Sequence, residues 1–215
     1  MFALSALMLF INGKGFNKYP GQKEWIISFC LFVCSLLSVT LRVYDFFFAS
    51  VILGNTFQFL AYYTLCLGCL RFLGEDFTEH YIAFFFLAFL LVLMGTLSLE
   101  ANFLNARIAI VSFLASIFSF GAVFFFWNFG KGEYYYEKWF INIFMFHGTF
   151  SMLKGLLNII DHDREGLFSP TIVSQLTFYE YLLIAFLWGS VTNLLGQERL
   201  RKQKHQQNSQ KLAAQ

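Results

Sequence analysis

Proline and charge are what this sequence has least of. Only Pro20 and Pro170 occur in 215 residues. Both lie in polar connections, so no long apolar segment carries a residue that breaks a helix. Asp, Glu, Lys and Arg together make up 13% of the chain, against roughly 25% in soluble domains. A soluble fold could not cover a chain that is 58% hydrophobic, with 31 phenylalanines, using so few charges. Lipid can. Cysteine is scarce as well: the four present all sit inside apolar runs, which excludes a secreted disulfide framework. Also missing are an intramembrane His-Glu zinc motif, a glycine-rich phosphate loop and a serine–histidine arrangement. Segment 172–195 has no lysine to form a retinal Schiff base. The expectation is a protein that is not an enzyme and has neither a catalytic metal nor a cofactor.

What the sequence does have is a succession of apolar runs divided by short polar loops. Crossing ~30 Å of hydrocarbon takes ~20 residues of helix. Segments 25–41, 46–70, 81–97, 108–126, 139–160 and 172–195 meet that length within tolerance. Segment 1–11 would reach only roughly 16 Å. It has no basic stretch before it and no small-residue cleavage site after it, so it reads as a clipped first span and not as a signal peptide. The predicted fold is an all-α integral membrane bundle of about seven transmembrane helices, the first one short or truncated. Residues 1–196 form the bundle and 197–215 a cytoplasmic helical stalk or tail.

The basic residues orient it. With the tail inside, the cytoplasmic segments hold Lys14, Lys18, Lys23, Arg71, Lys131, Lys138, Arg199, Arg201, Lys202, Lys204 and Lys211. The other side holds Arg42, Arg107, Lys154 and Arg164. Eleven against four is a positive-inside bias, so the amino terminus is expected outside and the carboxyl terminus inside. Tyr134, Tyr135, Tyr136 and Trp139 suit an interfacial aromatic belt.

Polar residues within the spans are the candidates for chemistry, because lipid makes them costly. Asn55, Gln58, Tyr62, Cys66 and Cys69 recur at helical spacing, as do His147, Ser151, Lys154 and Asn158. Gln175 and Tyr179 share a line, with Glu180 beside it. Two readings stay open for these stripes: hydrogen bonds that hold helices together, or a ligand pocket. The pocket residues would be Asn55, Gln58, Tyr62, Arg107, His147, Lys154 and Glu180. Lys154 and Glu180 fall at similar depth on adjacent spans, where an ion pair would spare each an unpaired charge; Lys154 could instead snorkel outward. A lone intramembrane histidine, His147, reads as helix packing before haem or metal ligation. Cys30, Cys34, Cys66 and Cys69 read as small hydrophobes before a soft-metal site.

Several short pieces, in order, resemble the multi-span sensory modules that precede GGDEF diguanylate cyclases. They are Tyr19-Pro20-Gly21 ahead of Trp25, Leu41-Arg42, Gly54-Asn55, Leu70-Arg71-Phe72-Leu73-Gly74 and Asn105-Ala106-Arg107-Ile108. The tail from Gln197-Glu198-Arg199-Leu200 to Leu212-Ala213-Ala214-Gln215 is similar to the stalk that enters the cyclase in such proteins. No GGDEF sequence occurs in these 215 residues. The resemblance therefore implies a sensory half: a multi-pass protein of the bacterial inner membrane that signals through its last helix, as a homodimer. Its partners would be the lipid bilayer and an unidentified small ligand, with no nucleic acid. The alternative is a small seven-span transporter or channel, against which stand the lack of a convincing internal repeat and of a Pro-Gln signature.

The charge bias gives a direct expectation. A reporter active only in the cytoplasm should work when fused after Gln215 and stay silent when fused at Arg164. The opposite pattern would reverse the orientation.

Overall fold

The computed structural model describes residues 19–76, 78, 80–99, 104–130, 132, 134–160 and 172–213. Among them are six α-helices, one short 3-10 helix and no strand. The helices are α1 (Gln22–Val39), α2 (Phe47–Leu73), α3 (His80–Leu97), α4 (Leu104–Phe129), α5 (Glu137–Ile160) and α6 (Ile172–Ala213), with the 3-10 helix Thr40–Tyr44 between α1 and α2. Each apolar run from residue 25 onward falls on one of these helices. Segment 1–11 lies outside the described residues. Among the described residues four helices are long and apolar enough to cross a membrane: Phe47–Leu73, His80–Leu97, Asn105–Phe129 and Glu137–Ile160.

Two antiparallel hairpins, α1–α2 and α4–α5, make the body of the bundle; α2 packs against α4, and α6 lies against α5. Serines join the first hairpin: Ser28 donates to the Ala61 carbonyl at 2.7 Å and Ser35 to the Gly54 carbonyl at 2.8 Å. Small residues join the second. Gly148 and Gly155 on α5 let the rings of Phe120 and Phe113 lie directly on the helix backbone. Farther along the same hairpin the Phe126 ring lies tilted against Phe140, and Phe140 stacks on Phe144, each pair 4.3 Å between centroids. The helix α3 is peripheral. Only Leu90 and Met94 of α3 are buried, while Phe84, Phe85 and Phe89 point outward. An apolar face of that size suits lipid and would be a liability in water.

Helix α2 ends in a glycine turn. Gly74 takes a left-handed conformation (φ 91°) that costs a glycine no Cβ clash. It lets the Glu75 amide donate to the Leu70 carbonyl (2.9 Å) and the Gly74 amide to the Arg71 carbonyl (3.1 Å). Both bonds answer carbonyls that the helix end leaves without an internal partner. The next carbonyl, that of buried Phe72, has to be answered from elsewhere.

The glycine contacts are testable. In Gly148→Ala the new methyl would sit 2.8 Å from the Phe120 ring, which should lower stability by about 1–3 kcal/mol. Adding Phe120→Leu should recover part of that loss. Gly121→Ala, where nothing lies within 4 Å, should be neutral or stabilising by up to about 1 kcal/mol. Thermal unfolding in detergent reads all three.

Candidate functional site

Trp188 sits in the middle of the bundle, where helix α6 meets three others. Its fully buried ring packs against Phe29 and Phe32 of α1 at 5.6 and 5.3 Å, and against Phe144 of α5 at 5.0 Å. It also stacks on Tyr62 of α2 at 6.4 Å. Tyr62 in turn shares a 3.2 Å hydrogen bond with His147 Nε2 on α5, and both residues are almost completely buried. Aromatic contacts of this kind are worth about 0.5–1.5 kcal/mol each beyond their buried area. Four helices thus converge on one aromatic and polar cluster.

The other expected site residues are dispersed. Asn55, Gln58 and Tyr62 do share one cavity, with Phe59, Leu90, Val111, Leu114 and Phe118, but its volume is only about 10 Å³. That is room for at most about one water molecule, not for a solute. Arg107, His147 and Lys154 are not among its lining residues. Arg107 is buried with its guanidinium 5.2 Å over the Phe47 ring. Lys154 is 5% exposed, so its side chain is held inside the bundle and does not snorkel outward. Its expected partner, the side chain of Glu180, lies outside the described residues, as do those of Gln175 and Tyr179. The cysteines divide: Cys66 and Cys69 are buried, whereas Cys30 and Cys34 are exposed. Among the described residues no group of His, Cys, Asp or Glu could hold a metal ion.

The densest arrangement is one that reading the spans for polar stripes missed. It lies at the exit end, where α6 leaves the apolar core. Glu198 and Arg199, neighbours on α6, each take hold of the end of a different helix. The Glu198 carboxylate accepts hydrogen bonds from the amides of Tyr135 (2.8 Å) and Tyr136 (3.4 Å), which lead into α5. The Arg199 guanidinium donates to the carbonyl of Phe72, in the last turn of α2, and lies 5.0 Å over the Phe72 ring. The signs match the helix dipoles: an anion at the amino end of α5 and a cation at the carboxyl end of α2.

Phe72 gathers the rest of this end around it. Trp25 (5.2 Å), Tyr19 (6.3 Å), Phe126 (6.2 Å) and Tyr134 (5.0 Å) all touch its ring. Tyr19 also lies against Gly196 of α6, where any side chain would strike its ring. Burial there pushes the Tyr19 phenol well up, so it stays protonated. Beside this cluster Arg71, in the last turn of α2, pairs with Glu24 in the first turn of α1. Each of those charges also complements the dipole of its own helix. Lys202 completes the group, 4.6 Å over the Tyr134 ring and 3.9 Å from Glu198. The Leu70-Arg71-Phe72-Leu73-Gly74 and Gln197-Glu198-Arg199-Leu200 segments are both visible as sequence. Their meeting is a tertiary fact that no local spacing reveals.

Comparison of the chain with protein-family models, with curated proteins and with solved structures gives no match.

Single substitutions should rank by these contacts. Glu198→Ala removes the acceptor of two amides and should cost about 0.5–2 kcal/mol. Arg199→Met leaves the Phe72 carbonyl unanswered in a buried setting and should cost about 1–3 kcal/mol. Lys204→Ala, exposed on the same helix, should stay within about 0.5 kcal/mol of the parent. Equal melting temperatures for all three would mean that the exit-end contacts do not hold α6.

Proposed function

We propose that the chain is the sensory, signal-relaying half of a bacterial inner-membrane protein, with its carboxyl terminus in the cytoplasm. On this reading it has about seven spans and works as a homodimer. A stimulus in the bilayer or periplasm changes the packing around Tyr62, His147 and Trp188. Trp188 belongs to α6, so the change is felt by that helix. A cytoplasmic output domain such as a diguanylate cyclase would then receive it.

The observation that carries this reading is the continuity of α6 together with its anchorage. The helix runs unbroken for 42 residues, Ile172–Ala213. It passes from the Trp188 cluster through the Glu198–Arg199 contacts and on into a polar segment. That segment contains Gln203, Lys204, Gln206, Gln207 and Gln210, and its residues 204–212 are exposed. A helix with an apolar half locked into a bundle and a polar half projecting from it can carry rotation or tilt outward. An isolated polar helix of that length would be marginal, and the buried half supplies its nucleus.

A phase test separates relay from transport. The chain is fused in helical register to a GGDEF catalytic domain, and one to seven residues are inserted after Ala213. Each insertion turns the output by about 100°. Cyclic dinucleotide formation should fall at two insertions, return near four, fall again at five and return at seven. Output that ignores phase, together with solute flux through the purified chain in liposomes, would favour the transporter.

A further inference from the structure

We infer that the exit end carries a binding site for one phospholipid headgroup of the donor type, ethanolamine or glycerol. The inference requires the bundle to be embedded in a bilayer but does not require the relay. A cavity of about 250 Å³ opens between the amino end of α5 and helix α6, lined by Tyr135, Tyr136, Leu194, Gln197, Glu198 and Arg201. This is just below the usual volume for small-molecule sites, roughly 300–1,000 Å³, and suits a headgroup whose tails lie elsewhere.

The lining has three chemistries, arranged as a phospholipid would need them. On the apolar side Leu194 is partly exposed, and Trp139 and Phe186, on α5 and α6, also face outward. That surface suits acyl chains. On the polar side Arg201 is exposed and makes no hydrogen bond or ion pair among the described residues. It is the free cation of the site, with a planar fork matched to a phosphate. Lys202 is engaged by Tyr134 and Glu198, so it does not compete for this role. Between the two lies the Glu198 carboxylate, which the amides of Tyr135 and Tyr136 and the Lys202 ammonium leave with acceptor capacity to spare. An acceptor beside a phosphate site selects a headgroup with hydrogens to donate: an ammonium or a hydroxyl, but not a trimethylated choline. The Gln197 amide can serve either group. Tyrosines at this level are placed as interfacial aromatics are.

Occupancy would have a structural consequence. The lipid would touch Tyr135 and Tyr136 from α5's end and Glu198 and Arg201 from α6, so it would reinforce the contact by which α6 holds α5.

The test uses the full chain in nanodiscs of equimolar phosphatidylethanolamine, phosphatidylglycerol and phosphatidylcholine, released into native mass spectrometry. One ethanolamine or glycerol lipid should be retained per chain, preferred over choline on the order of tenfold, the equivalent of one charge-assisted hydrogen bond. Arg201→Gln, which removes the phosphate contact, should lower retention of lipid, and Lys211→Gln should leave both retention and preference as in the parent. In a second arm, inorganic phosphate is added to the chain in pure phosphatidylcholine. It should raise the melting temperature less than exchange into phosphatidylethanolamine does. Equal retention of choline lipid, an Arg201→Gln variant that binds like the parent, or stabilisation by free phosphate alone would each overturn the headgroup site. Failure of the chain to incorporate into nanodiscs at all would instead overturn the membrane reading beneath it.

Discussion

The carbonyl of Phe72 is a strong acceptor in the last turn of a helix, on a residue that is 1% exposed. Left unanswered in such a place it would cost about 1–3 kcal/mol, and more where lipid replaces water. The chain ends α2 with a glycine turn that satisfies the Leu70 and Arg71 carbonyls. The Phe72 carbonyl is left for Arg199, 127 residues later. Much at this end follows from that bond. It fixes the height and rotation of α6 against α2, which brings Glu198 to the amides leading into α5 and Gly196 under Tyr19.

Two attachments give α6 its mechanical character. Trp188 is bedded among rings from α1, α2 and α5, and Glu198–Arg199 lie ten to eleven residues farther on, about 15 Å along the helix. A helix held at two points cannot rotate or slide without disturbing both. Under the proposed relay, a displacement beginning at the Tyr62–His147 hydrogen bond would reach the exit end either as a shift of the whole helix or as strain between the anchors. The Glu24–Arg71 pair and the Phe72 cluster tie α1, α2 and the α4–α5 turn into the same end. By contrast α3, with its outward phenylalanines, buries only Leu90 and Met94.

The helices were legible because lipid-scale apolar runs separated by polar loops have few other solutions. Segments 46–70, 81–97, 108–126 and 139–160 match α2 to α5 within a few residues. The continuation of α6 beyond residue 196 was legible as a helical stalk, and the helix reaches Ala213. The Tyr62 and His147 stripes were also legible as inward faces, since both residues are buried. What spacing could not show was the pairing of those faces. Cys30 and Cys34 lie at helical spacing like Cys66 and Cys69, yet only the second pair faces inward. Glu198 and Arg199 looked like the first charges of a stalk because their partners are a peptide amide and a peptide carbonyl. Every residue has that carbonyl and every residue but proline that amide hydrogen, so sequence cannot mark them.

The coupling of α6 to the bundle's end is tested most directly by amide hydrogen exchange on the full chain in nanodiscs. Protection should run without interruption from Val191 past Gly196 to about Lys204, two turns of helix beyond Gln197. The amides of Tyr135 and Tyr136 should be protected to a similar degree, because Glu198 holds them. Full exchange beginning at Gln197, with the two tyrosine amides equally fast, would leave α6 a span with a loose tail and no mechanical hold on its neighbours.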